Sequence, residues 1–422
     1  MSVSIRVALP PRGMLIRDLT VSVATALKAV ASTIGEELSA RLVGPYIDLT
    51  VDSESSWAEV VNSLIAQALD VVKVKVDRGI RAPKLNKNDL KYVFSRIGLP
   101  VDRGSTYIDA FYELIARHGS ALAHPVGGLA LRSLGMAASA DKHLLLGVPS
   151  ARERSSTYAL PQIFKVEAYE KGSAFHRPYT HDFSVRLTDA WLTLLAIGFS
   201  LTYLGMYGGQ VAFITPTEEA LSSNVNARLT TALSLASSLL RASPDPIIPY
   251  AVYLALTIPD VVIAESPPYP EIADVWRFVK GVLVRGDGEA AKELSREGRV
   301  PSLNMHRLGV GRAFTALSRE SLNLSRLLHF AYVLDEVSGG RECRQRLRNG
   351  LVRRALGAVE PKLVNAVTLL YEAAHSAKDA RYVTYTILRI ASEVVQGDLR
   401  RRRELLSPEC VTSILTALER VT

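Results

Sequence analysis

From Ala190 to Thr217 the chain runs for 28 residues without an Asp, Glu, Lys or Arg. Such a stretch can be accommodated in a bilayer or at the centre of a folded core, because its side chains gain little from water. Ser200, Thr202, Gly205, Gly208, Gly209 and Gln210 interrupt it, leaving about 17 residues before the glycine pair, the lower limit for a span. Its flanks show no basic-loop asymmetry of the kind that orients membrane helices. The sequence therefore predicts a buried helix ended by Gly208-Gly209, then a short buried strand from Gln210 to Thr215. Thr215, Pro216 and Glu218 have the spacing of a capping box with proline at the first helical position.

The remaining pattern places this element in a mixed fold. With 422 residues, the chain is long enough for about two or three domains. Apolar residues make up 48% and charged residues 22%, which excludes disordered and collagenous classes. Val3 to Leu9 and Tyr46 to Val51 alternate like strands, with a helical pattern from Asp18 to Leu42 between them. A polar, basic stretch from Arg78 to Lys91 reads as an exposed loop, Thr106 to His118 as a helix, and Gln162 to Tyr169 as a strand. Ser266-Pro267-Pro268-Tyr269-Pro270 is the strongest composition boundary. Beyond it, Phe314, Leu317, Leu324, Leu328, Ala331 and Leu334 recur at helical spacing, as do Leu363, Val367, Leu370 and Ala374. Ser407-Pro408-Glu409 reads as a further helix start. The expected class is α+β: a mixed α/β domain over 1–268 and an all-helical, Arg-rich bundle over 269–422.

Charge is unevenly divided between these parts. Residues up to Gly298 carry 30 basic and 30 acidic side chains, whereas the stretch from Arg299 onward carries 20 basic against 12 acidic, the whole of the net +8. A one-sided cationic surface attracts polyanions, and counterion release drives its binding to phosphates. Arg341, Arg344 and Arg348 fall three and four apart, one stripe on a helix, with Arg353 further on. Arg400, Arg401, Arg402 and Arg403 are consecutive and would point all around a helix. Arg81, Lys84 and Lys87 form a second candidate contact. The alternative is a solvated helical face, or one that binds an acidic protein partner. At helical spacing Tyr371, Tyr382 and Tyr385 read as core or rim residues, with base stacking the lesser alternative.

No run matches a P-loop, zincin helix, nucleophile elbow or EF-hand. The nearest thing to a catalytic cluster is His176, His181 and Asp182, where imidazoles and a carboxylate could hold a metal for phosphodiester hydrolysis; His181-Asp182 resembles the core pair of HD phosphohydrolases. Cys343 and Cys410 are the sole cysteines, too few for a disulfide framework or a metal cluster, though a single bridge would suit a hyperthermophile. The N-terminal residues lack the apolar core of a signal peptide, so a cytoplasmic protein is expected.

The stretch from Asp182 to Leu221, with Asp189-Ala190-Trp191, Ile197-Gly198-Phe199 and Val211-Ala212-Phe213-Ile214-Thr215-Pro216, resembles the large subunit of archaeal subtype I-A CRISPR surveillance complexes (Cascade). The resemblance covers about forty residues closely and the architecture loosely, and these are packing features, not a catalytic signature. It implies a non-enzymatic subunit without cofactor. Its partners would be guide RNA, target DNA, the other subunits and a recruited helicase-nuclease, with no membrane. It also implies help in recognising the protospacer-adjacent motif and in holding opened DNA. No motif-reading residue can be carried over to this sequence.

Overall fold

The computed structural model describes residues 2–10, 12–77, 79–123, 133–134, 136–138, 143–146, 157–165, 184–207, 209–218, 221, 252, 255–256, 302–311, 314–323, 325–352, 355, 361–375, 379–394 and 407–421. Helices and antiparallel strand pairs coexist, so the chain is of mixed α+β class. Two units are resolved by their internal packing: Met1–Leu239 with Asn304–Glu320, and Leu240–Leu303 with Ser321–Thr422. The expected junction at 268/269 lies outside the described residues.

In the first unit, β1 (Val3–Ala8) leads into α1 (Leu15–Ile34). The helix stops where Gly35 takes a left-handed backbone, φ 83°, which its missing Cβ permits. Leu38, Ala40 and Leu42 recur every second residue, the period of a strand, and belong to β2 (Leu38–Val43), so the helix expected to reach Leu42 is a helix and a strand. β2 turns through Gly44-Pro45, with Gly44 at φ 59°, into β3 (Tyr46–Val51). β3 pairs antiparallel with both β2 and β1, opposing Val51 to Leu38 and to Val3.

The helices α2 (Glu54–Asp77), α3 (Lys87–Asp89), α4 (Tyr107–His118) and α5 (Ser120–Ala123) follow, α3 running on into a π-helical turn at Leu90–Phe94. β4 (Ser133–Leu134) extends the first sheet to the order β2-β3-β1-β4. β5 (Met136–Ala138), β6 (His143–Leu146), β7 (Tyr158–Ala159) and β8 (Ser184–Leu187) make a second sheet, ordered β5-β6-β8-β7. Of the strand expected from Gln162 to Tyr169, Gln162–Phe164 is a single 3-10 turn, and from residue 166 on it lies outside the described residues.

The uncharged stretch is the centre of this unit. Its helix, α6 (Asp189–Thr202), is buried from Trp191 to Thr202. The chain leaves the helix at Tyr203, before the glycine pair, and forms β9 (Tyr203–Tyr207) and β10 (Gln210–Pro216), which pair antiparallel. Tyr203 stacks on Phe199 with ring centres 4.6 Å apart, and Phe111, Phe164 and Phe213 extend the same aromatic cluster. At Gly198 the helix meets α1 so closely that a Cβ would stand 3.0 Å from the Leu19 carbonyl oxygen. The capping box expected at Thr215 does not form. Pro216 is still in the strand, the Thr215 hydroxyl faces the Asn304 carbonyl at 3.4 Å, and Glu218 binds Arg17 at 2.6 Å.

The chain after the proline cluster is not helical throughout. β11 (Ser302–Val310) and β12 (Phe314–Asn323) complete a third sheet, ordered β12-β11-β10-β9. Phe314 and Leu317 have helical spacing, yet Phe314 packs edge-on against Tyr107, ring centres 5.9 Å apart, while Leu317 is exposed. Two apolar positions do not define a period, and here the strand ladder decides.

The second unit's described helices are α7 (Ser325–Glu336), α8 (Gly340–Arg346) with a π-helical turn at Leu347–Val352, α9 (Pro361–His375), α10 (Ala380–Val394) and α11 (Pro408–Val421). Leu363, Val367, Leu370 and Ala374 are buried along one stripe of α9, as their spacing predicts. Ser407 precedes α11, its hydroxyl accepting from the Cys410 amide at 3.3 Å. Cys343 and Cys410 are bonded, tying α8 to α11. Gly340 opens α8 against the Leu334 carbonyl, where no Cβ would fit.

Candidate nucleic-acid interface

The segment from Ile80 to Tyr107 is fixed by its backbone and leaves its cations to water. Ile80 and Leu85 are buried, and the loop between them is tied on both sides. The Arg81 carbonyl accepts from the Tyr203 hydroxyl at 2.7 Å and from the Met206 amide at 3.0 Å. The Leu85 amide donates to Ser105, the Tyr107 amide donates to Pro83, and Lys84 forms a β-bridge with Thr106. Asn86 then caps α3, accepting from the Asp89 amide at 2.8 Å. With the main chain so committed, Arg81, Lys84 and Lys87 are all exposed. Lys91, Arg96 and Arg103 are exposed as well, and the Lys91 ammonium lies 4.8 Å from the ring centre of the exposed Tyr92.

The carboxylates of the same segment are consumed locally. Asp89 is buried and accepts from the Tyr107 hydroxyl and, at 3.1 Å, from the Gln162 amide. Burial pushes its pKa up to about 6, against the opposing pull of those hydrogen bonds. Asp102 accepts from the Gly104 amide at 2.7 Å and the Ser105 amide at 3.1 Å, and these bonds hold its pKa below the usual carboxylate value. Asp109 completes the capping box of α4 with Thr106. Among the described residues no carboxylate lies within ion-pair distance of Arg81, Lys84, Lys87, Lys91 or Arg103. Cations held on a fixed backbone with their neighbouring acids occupied are suited to phosphate oxygens.

The arginine stripe of the second unit divides. Arg341 is exposed, but Arg344 is fully buried: its Nε donates to Asp335 Oδ1 at 2.6 Å and its Nη1 to the Leu256 carbonyl at 2.6 Å. The assignment of Arg344 to phosphate contact is corrected accordingly, since helical spacing tells which residues share a face and not which way that face points. Arg348 is half-buried in the π-helical turn, donating to Asn349 at 3.2 Å, so the three do not form one exposed row. Arg353 and Arg400, Arg401, Arg402 and Arg403 lie outside the described residues, as do His176, His181 and Asp182.

A buried polar cluster that spacing did not reveal sits on α1. Asp18 Oδ2 accepts from His306 Nε2 at 2.8 Å and from Arg319 Nη2 at 2.9 Å, while Thr215 Oγ1 lies 3.5 Å from the same His306 nitrogen. A nucleophilic relay needs hydroxyl and carboxylate on opposite ring nitrogens. Here both meet Nε2, so the cluster joins α1 to β10, β11 and β12 and has no relay geometry. Its members are 288 and 301 positions from Asp18, beyond the reach of any local pattern.

Among the described residues no helix is long and apolar enough to cross a membrane, and no three His, Cys, Asp or Glu side chains converge as metal ligands. No protein-family model, curated protein or solved structure matches the chain.

Proposed function

We propose that this protein is a non-enzymatic, nucleic-acid-binding subunit of a CRISPR guide-RNA surveillance complex, the role implied by its resemblance to the subtype I-A large subunit. The observation that carries the binding reading is the exposed set Arg81, Lys84 and Lys87, joined by Lys91 and Arg103, on a backbone whose acidic neighbours are internally bonded. Guide pairing reads the target sequence in such a complex, so the subunit needs cationic surface for backbones and no nucleophile. The helices from Ser325 onward would act as the Arg-rich bundle, with Arg341 presenting its guanidinium to solvent. Target DNA and guide RNA are the ligands, other subunits the partners, and cutting falls to a recruited helicase-nuclease.

Pull-down of the tagged protein from its host without nuclease treatment tests the assembly. Repeat-derived RNA with a defined set of subunits is the expected result, and a solitary protein without RNA would overturn it. Binding itself is tested by titrating duplex DNA against salt. Each phosphate contact contributes about 0.9 to the slope of log K on log salt. Replacing Arg81, Lys84 and Lys87 together with Ala should therefore flatten the slope by roughly 2 to 3. An unchanged slope would remove the interface from this segment.

A further inference from the structure

Helix α10 carries two aromatic rings on the wrong face for a core. Among its described side chains Ala380, Val383, Thr384 and Ile387 are buried, a stripe at spacings of three, one and three that fixes the inward side. Tyr382 and Tyr385 lie opposite and are 61% and 64% exposed, the most exposed large apolar side chains among the described residues. They are three apart, so their rings rise from one face about 5 to 6 Å from each other at Cβ. Arg389 follows Tyr385 by one turn and is exposed, and Arg381 precedes it by one turn with a side chain 82% exposed. Arg381 stands 3.8 Å from Glu419, a loose pair on open surface. The outer face thus sets two phenols between two guanidiniums, and the next segment in sequence contains Arg400 to Arg403.

We propose that Tyr382 and Tyr385 form a base-stacking platform for single-stranded nucleic acid, with Arg381 and Arg389 taking its phosphates. The inference rests on the nucleic-acid reading above and adds to it a second site with a defined substrate form. A duplex hides the faces of its bases in its own stack, whereas a single strand offers them to an aromatic ring. Two neighbouring rings can receive successive bases without reading their edges, so the site is tolerant of sequence. Charge complementarity favours this occupant over an apolar peptide: the 124 residues that include α10 carry the entire net +8 of the chain.

The test uses the full chain and a fluorescein-labelled oligothymidylate of about twelve nucleotides, within the usual site size, beside an abasic strand and a duplex of the same length. Replacing Tyr382 and Tyr385 together with Ala should weaken oligothymidylate binding by roughly 5- to 150-fold per ring. The salt slope should stay as it was, because stacking releases no counterions. Y382F with Y385F should restore binding, since the stacking face remains, and the abasic strand should not distinguish Ala from wild type. Both side chains are on the surface, so the variants should melt as wild type does. If Y382A/Y385A binds oligothymidylate as tightly as wild type, the platform is overturned while the basic-segment reading stands. If wild type binds neither oligothymidylate nor duplex, both readings fail together.

Discussion

Arg344 offers the sharpest separation of a fold-holding arginine from a ligand-binding one. Replacing it with Ala removes the donors to Asp335 Oδ1 and to the Leu256 carbonyl, both at 2.6 Å, from a site with no exposure at the arginine side chain. Asp335 keeps 15% exposure, so its abandoned carboxylate is only partly rehydrated. Breaking a buried pair from one side costs about 3–5 kcal/mol, chiefly because the remaining charge is stranded. For a unit of this size each kcal/mol is worth about 2–4 °C of melting temperature, so R344A should melt roughly 6–20 °C below wild type. R344M with D335N, which removes both charges at nearly constant volume, should recover part of that loss, because no charge is left stranded while the Leu256 carbonyl still loses its arginine donor. R341A should leave the melting temperature unchanged, since Arg341 is exposed. Thermal unfolding followed by circular dichroism measures all three, with DNA binding assayed well below the lowest transition. An R344A protein that melts like wild type but shows a reduced salt slope for DNA would refute the assignment, and would mean that the guanidinium faces a phosphate.

Two further outcomes follow from groups within the units. Cys343 and Cys410 are 67 positions apart, and cross-linking a loop of that length restricts the unfolded chain by about 4 kcal/mol. Reductant should therefore lower the denaturation midpoint in guanidinium, and an identical midpoint with and without reductant would show that the bridge contributes nothing. Lys75 is buried, its ammonium donating to the Ser200 carbonyl at 2.6 Å, and burial lowers its pKa to about 7. Between pH 7 and its ordinary value near 10.4 the unfolded state holds the proton and the folded state does not, so stability rises with pH across that window. K75M should remove this rise and increase stability below pH 7; a pH profile of chemical denaturation identical to wild type would contradict it.

Local signals read well where a single element decides the outcome. The strand over Tyr46–Val51, the helix over Thr106 to His118 and the buried stripe of α9 each depend on neighbours within a turn or two. The uncharged stretch was legible as core for the same reason, since it carries no Asp, Glu, Lys or Arg over 28 residues. What failed needed a partner distant in sequence. The Phe314 spacing resembles a helix until β11 supplies a ladder and Tyr107 a surface to pack on. Gly35 ends α1 in a left-handed conformation, and the apolar period changes from helical to alternating just beyond it, at Leu38, Ala40 and Leu42.

The same division governs the sites. Arg81, Lys84 and Lys87 were visible as a polar, basic run, but Arg103 joins them only through the bridge between Lys84 and Thr106, which no spacing encodes. The spacing of Arg341, Arg344 and Arg348 carried no information about inside and outside. Arg344 follows Cys343, whose sulfur is committed to Cys410, and the two buried residues turn that part of α8 inward. For Tyr382 and Tyr385 the sequence does hold a signal: Val383 and Ile387, four apart, mark an apolar side, which leaves the tyrosines and Arg389 together on the opposite side. Charge composition located the cationic part of the chain, but the orientation of each helix decides which of its arginines reach solvent. The stretch after Gly298, with the whole of the net charge, therefore need not present the larger cationic surface, and the electroneutral stretch before it can still bind phosphates wherever its acids are bonded internally.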